Sequence, residues 1–163
     1  RHRHPPPTRQ PDPHTRATYT KLAEAMSTEG KWREVIPYLE QSLDYTRADE
    51  TKIAETTGWL GTAYLRIGEH EKATDLFLEV TRDYADQIGV TLRAYGNLIR
   101  YARDNGNDQD LERYAKDVQR YGSSLLRKGK NQEYPLLYQR MSQLMAMAGH
   151  TAEAQEWAEA EEQ

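Results

Sequence analysis

The chain contains no cysteine, which removes disulfides, zinc–thiolate sites and cysteine nucleophiles from consideration. No stretch approaches the roughly 18 apolar residues of a membrane-crossing helix, and no signal-peptide apolar region is present, so the expected location is cytoplasmic. An initiator methionine is missing as well, and the sequence reads as a fragment or a processed chain. Absent too are G-x-G-x-x-G, a P-loop, H-E-x-x-H and G-x-S-x-G. The expectation is therefore a non-enzyme with no catalytic residues, no cofactor and no metal. Apolar residues are few: 37% hydrophobic against 29% charged, with a mean hydropathy of −0.98. That balance suits an elongated stack of helices with much surface and a thin core. Net charge is small, −4 with a pI near 5.8, and gives nucleic-acid binding no electrostatic basis.

Prolines are concentrated in RHRHPPPTRQPDP, residues 1–13, which offers nothing apolar to bury and reads as a disordered, polyproline-like tether. His2, His4 and His14 read as linker residues, since their spacing and lack of carboxylate partners are wrong for a built metal site. From residue 14 onward the dominant signal is self-similarity. Aligned on Gly30, Gly68, Gly106 and Gly149, with spacings of 38, 38 and 43 residues, the chain shows four coincident columns. Eight residues before each glycine stand Leu22, Leu60, Leu98 and Met141; four before stand Met26, Tyr64, Ala102 and Met145. Five after stand Val35, Ala73, Leu111 and Ala154; nine after stand Leu39, Phe77, Ala115 and Ala158.

Each copy reads as helix, glycine turn, helix. First helices are expected over 14–28, 50–66, 87–104 and 133–148, and second helices over 31–46, 70–85, 108–126 and 151–161. Asp49 and Asp108 are placed as N-caps. Pro37 should kink its helix or force a local bend, while Pro135 suits a first turn. The copies span about 14–48, 49–86, 87–127 and 132–163, and the longer loop RKGKNQEYP precedes the last. His70 and His150 fall in hairpin turns two copies apart and are expected to be exposed. Of the eleven tyrosines, Tyr19, Tyr64, Tyr95 and Tyr138 occupy core or adjacent places.

The second copy, with Leu60-Gly61, Tyr64, Gly68, Ala73 and Phe77, resembles the tetratricopeptide repeat family through its L-G-x₂-Y…A-x₃-F pattern. The resemblance spans about residues 17–161 and is sharp in this copy, degenerate in the other three. The pattern's Trp would fall at Thr57 and its terminal Pro at Ala85, and the 38-residue period exceeds the usual 34. Longer periods of this kind are typical of bacterial peptide-sensing regulators and of kinesin-light-chain-like cargo binders. The resemblance implies an all-α, right-handed solenoid of about four helical hairpins whose first helices line a concave surface. It also explains Gly61 as a close helix approach and Gly68 as the turn.

Residues the core does not require point to a binding face. In the third first helix, Arg93, Asn97, Arg100 and Asp104 recur at helical spacing beside the core stripe. One copy earlier the same stripe holds Glu55, Trp59, Thr62 and Arg66; the first copy offers Lys21, Glu24 and Thr28, and the fourth Leu136, Arg140, Gln143 and Met147. The resemblance gives the place of Asn97 an amide that serves a bound peptide's backbone, a task for which an amide carries both donor and acceptor. Arginines suit ligand carboxylates. The expected groove is therefore Trp59, Thr62, Arg66, Arg93, Asn97, Arg100, Arg140 and Gln143, with Trp59 as the apolar anchor. Gly58 and Gly96 would open room for the ligand. The alternative for the arginines is pairing with surface acids, worth a few tenths of a kcal/mol each.

Beyond Arg140 the chain carries five Glu and no Lys or Arg, hence a net charge of −5 over 141–163. Its last helix has one apolar edge, Ala154, Trp157 and Ala158. The expected function is a non-enzymatic scaffold or regulatory domain that binds an extended peptide or protein segment, acidic or bearing a C-terminal carboxylate. Neither nucleic acid nor membrane is an expected partner. The alternatives are an assembly domain that forms homo-oligomers through its end helices or docks another domain, and the peptide-sensing half of a bacterial signalling regulator.

Overall fold

The computed structural model describes residues 13–45 and 49–162; residues 1–12 of the expected tether, with His2 and His4, lie outside the described residues, whereas Pro13 and His14, expected in the linker, begin a helix. The described chain is all-α, with eight α-helices, two short 3-10 turns and no strand. First helices are α1 (Pro13–Ser27), α3 (Glu50–Arg66), α5 (Ile88–Asp104) and α7 (Leu137–Met147). Second helices are α2 (Trp32–Tyr45), α4 (His70–Asp83), α6 (Asp108–Arg127) and α8 (Thr151–Glu161). Among the described residues no helix is long and apolar enough to cross a membrane. The chain divides into two compact units, one ending at Ala73 and one beginning at Thr74, in the first turn of α4.

In the first unit α2 packs against both α1 and α3. Its apolar spacing at Trp32, Val35 and Leu39 buries one stripe, which meets Leu22 and Ala25 of α1 and Ala54, Leu60 and Ala63 of α3 in the unit's core. Polar pairs fix the two contacts. The buried hydroxyls of Thr18 and Ser42 share a 3.2 Å hydrogen bond between α1 and α2. Between α2 and α3, Tyr64 Oη donates to Glu40 Oε1 at 2.8 Å. Pro37 leaves α2 unbroken in secondary structure from Trp32 to Tyr45, and the first turn is instead prefaced by a 3-10 turn, Glu29–Lys31.

In the second unit α5 packs against α6 and α7, α6 against α7, and α7 against α8. Phe77, Val80, Leu92, Ile99, Val118, Met141 and Leu144 are fully or almost fully buried there. Gly122 permits the closest approach: a Cβ on it would lie 2.8 Å from Sδ and Cε of Met141. Second helices are joined directly, with Trp157 Nε1 donating to Gln119 Oε1 at 2.8 Å. Ala154 and Trp157 are buried and Ala158 is half-buried, as expected of an apolar edge packed on its predecessor.

Three turns are copies of one another. Gly68, Gly106 and Gly149 adopt left-handed φ of 86°, 67° and 81°. In each, the residue after the glycine donates back five residues (Glu69 to Tyr64 O, Asn107 to Ala102 O, His150 to Met145 O) at 2.8–2.9 Å. The glycine itself donates back three. This is the Schellman closure, which satisfies carbonyls that the helix end leaves orphaned. Gly30 departs from the expectation, because it sits in the 3-10 turn without positive φ. Gly129, in the long loop, takes that conformation at 69°.

Other local expectations divide. Asp49 caps α3 through Lys52 N at 3.2 Å. For α6 the cap is Asn107, which accepts from Asp110 N at 3.1 Å, and Asp108 is the first helical residue. Pro135 lies in the turn before α7, not in its first turn, because Lys130–Gln132 forms a 3-10 turn and delays the helix to Leu137. Tyr19 is 57% exposed and no part of the core. His150 is only 22% exposed in its side chain, and its Nε2 lies 2.8 Å from Glu112 Oε2. Its place in the turn brings it against α6, not out to solvent.

Candidate functional site

The eight expected groove residues fall into two sets, one in each unit. Trp59, Thr62 and Arg66 lie on α3 in the first. Trp59 is half-buried and lines two concavities at once. One, of about 490 Å³, is walled by Tyr19 and Leu22 of α1, Leu39 of α2 and Glu55 of α3. The other, of about 690 Å³, is lined by Met26, Glu29, Trp32, Trp59, Thr62 and Arg66. Together they form a trough with α1 and α3 as walls and α2 as floor. The Thr62 hydroxyl is committed to Gly58 O at 3.1 Å, leaving its methyl to the trough. Arg66 is exposed, in the last turn of α3, where the helix dipole favours a cation. Among the described residues Arg66, Glu29 and Glu55 have no ion-pair partner.

The first copy's expected stripe is overturned. Lys21 lies 3.5 Å from Glu24 and 3.9 Å from Glu34, and 5.9 Å from the ring centroid of Tyr38, so it leans towards α2. The trough-facing residues of α1 are Thr15, Thr18, Tyr19, Leu22 and Met26 instead, which are spaced for a single helical face. Sequence reading missed Met26, Glu29 and Trp32. Met26 shares a repeat column with Tyr64, Ala102 and Met145, which pointed to the core; at 53% exposed it lies outside it, while Ala102 and Met145 are buried.

In the second unit Arg93, Asn97 and Arg100 lie on α5 and Arg140 and Gln143 on α7, and those helices pack together. Gly96 does not open room for a ligand: a Cβ there would lie 3.3 Å from Arg140 Nη2 and 3.4 Å from Leu144 Cδ2. The bare backbone instead seats the Arg140 guanidinium. Its Nη1 donates to Gln143 Oε1 at 3.3 Å, so the cation is held by an amide and not by a carboxylate. Among the described residues Arg100 is without an ion pair and the half-buried Asn97 amide without a hydrogen bond, whereas Asp104 pairs with Arg103 at 3.2 Å. Elsewhere the surface cations divide: Arg113, Lys116, Arg120 and Lys130 each meet an acid three or four residues away, while among the described residues Arg66, Arg127 and Lys128 meet none. On the α5/α7 face the guanidinium groups of Arg100 and Arg140 are thus not claimed by neighbouring carboxylates among the described residues.

A scan against protein-family models finds no match, and a search of curated proteins finds none either. The tetratricopeptide resemblance therefore rests on the residues quoted above.

Proposed function

We propose that the chain is a tetratricopeptide-like repeat array without enzymatic activity that binds an extended, carboxylate-bearing peptide on the α5/α7 face. The reading is supported by the recurrence of helix, Schellman turn and helix, by first helix packed on first helix in α5 and α7, and by second helix bonded to second helix through Trp157 and Gln119. The observation that carries it is the unclaimed Arg100 and Asn97 beside an Arg140 seated on Gly96. Asn97 serves the peptide backbone, with one acceptor and two donors. Arg100 and Arg140 grip carboxylates through paired N–H donors.

The test is fluorescence anisotropy with labelled hexapeptides that end either in Asp-Asp with a free carboxylate or in Lys-Lys with an amide. The acidic peptide binds and the basic one does not, and added salt weakens binding. Arg100→Ala and Asn97→Ala each lose about tenfold in affinity, in the range of a charge-assisted or buried hydrogen bond, with thermal stability unchanged. Equal loss of helicity and binding would reassign both residues to the packing of the helices.

A further inference from the structure

The trough between α1 and α3 is separate from the face just described and has its own chemistry. Its two concavities show that the walls run parallel. Thr15 and Tyr19, early in α1, share one with Lys52 and Glu55, early in α3. Met26, late in α1, shares the other with Arg66, late in α3. The middle is apolar and aromatic, with Trp59 lining both concavities and Leu39 and Trp32 of α2 in the floor. Tyr19 and Met26 are 57% and 53% exposed and stand seven residues apart on one face of α1. Their exposure is a continuous strip beside a hollow, not scatter.

Charge is confined to the ends. Lys52 stands on the α3 side of one end, and Glu29 at the other end, in the turn that follows α1. Among the described residues neither has an ion-pair partner. The length of the trough keeps them apart, since α3 rises about 21 Å from Lys52 to Arg66. Glu55 and Arg66 add one charge of each sign, so the lining is neutral as a whole.

We infer that the trough is the interface of a two-fold dimer, closed by the same trough of a second copy. An isologous interface must be complementary to itself, so that residue i meets j and j meets i. This trough meets that condition because Lys52 and Glu29, opposite in sign, occupy diagonal corners. A two-fold axis through its middle, near Trp59, lays α1 of each copy antiparallel over α3 of the other. Lys52 of each copy then stands on Glu29 of the other, and two ion pairs form at once. The same rotation carries the Tyr19 and Met26 strip of each copy into the hollow of the other. The result has the anatomy of a protein interface, with Tyr, Trp and Met at its centre and Lys and Glu at its rim. An acidic or a basic peptide lacks this match: at each end it is drawn to one charge and repelled by the other.

The experiment is sedimentation equilibrium of the full chain and of two charge reversals at exposed positions, Glu29→Lys and Lys52→Glu. The unmodified chain associates reversibly, its mass rising with concentration from 18.9 kDa to twice that value. Each reversal alone sets like charges against each other at both corners and raises the dimer Kd at least about tenfold. An equimolar mixture of the two variants associates again, because both corners of the mixed dimer carry opposite signs. Tyr19→Ser with Met26→Ser, exposed in the single chain, also weakens the dimer without change in helical circular dichroism. A monomer at every concentration overturns the proposal. A dimer that ignores both reversals overturns it too, as does a mixture that fails to associate. Peptide anisotropy on the monomeric variants tests the α5/α7 face separately, so either reading can fail alone.

Discussion

The two units use one repeat pattern to opposite ends. In the second, Met141, Leu144 and Met145 of α7 are sealed between α5, α6 and α8, and what reaches the surface is polar: guanidinium and amide. In the first, α1 contacts α2 and leaves a strip of its own apolar side chains uncovered, and the trough beside it is aromatic. Met26 and Met145 share a repeat column, yet one is 53% exposed and the other 1%. The column fixes where a side chain points along the helix; a neighbouring helix decides whether that place is core or surface. A repeat protein thereby acquires two kinds of surface from one pattern.

The sharpest way to break this comparison is to hollow out each unit. Trp32 and Trp157 are 6% and 5% exposed, and truncation of a buried Trp costs about 3–5 kcal/mol. Trp32→Ala should remove amide-exchange protection within residues 13–73 and Trp157→Ala within 74–162, read by mass spectrometry. Loss spread evenly over the whole chain in both variants would erase the division into units.

The next contrast is between glycines. Gly122→Ala drives a methyl into the fully buried Met141, an overpacking worth about 1–3 kcal/mol. Gly30→Ala meets nothing within 4 Å and lacks a positive φ. It should be neutral or stabilising by up to about 1 kcal/mol through the unfolded chain. Denaturation midpoints measure both, and a costly Gly30→Ala would mean that the first unit is closed where it is described as open.

Tyrosine hydroxyls give a smaller contrast. Tyr121 Oη donates to Ala85 O at 2.6 Å in a half-buried setting, and Tyr64 donates to the exposed Glu40. Tyr121→Phe should cost about 1 kcal/mol and Tyr64→Phe less, measured by chemical denaturation. Burial pushes the Tyr121 hydroxyl from 10.0 up to about 12, against the lowering effect of a hydrogen bond with Thr91. Its neutral form is the one the fold holds. The associated stability is therefore complete below pH 10 and lost between about pH 10 and 12, where the unfolded chain ionises first. Tyr121→Phe should flatten that part of the pH profile. An unchanged slope would remove Tyr121 from the account.

Helix positions were largely legible in the sequence because glycine turns and apolar spacing report on the chain's own local geometry. Boundaries from Glu50 to Arg66 and from Asp108 to Arg127 fall within one residue of the expected ones. The misses share one physical cause, that they depend on a partner. Asn107 and Asp108 are both good caps, and the choice between them is made by which reaches Asp110 N. Lys21 was placed by repeat alignment, but Glu34, on another helix, draws it aside. Gly96 looked like a gap until Arg140 filled it. Trp59 was legible as an apolar ring on a polar face, while Trp32, its companion, was hidden in a stripe that looked wholly like core.

The three matched turns have a stereochemical consequence. At Gly68, Gly106 and Gly149 the backbone takes the hand opposite to the rest of the chain, so these are the places where chirality, not size, polices the sequence. An L-alanine is strained at each of them, even at Gly106 and Gly149, where a side chain would meet no neighbour within 4 Å. A mirror-image alanine shares the backbone preference of the site. Such a residue would stiffen these three turns while leaving each helix as it is.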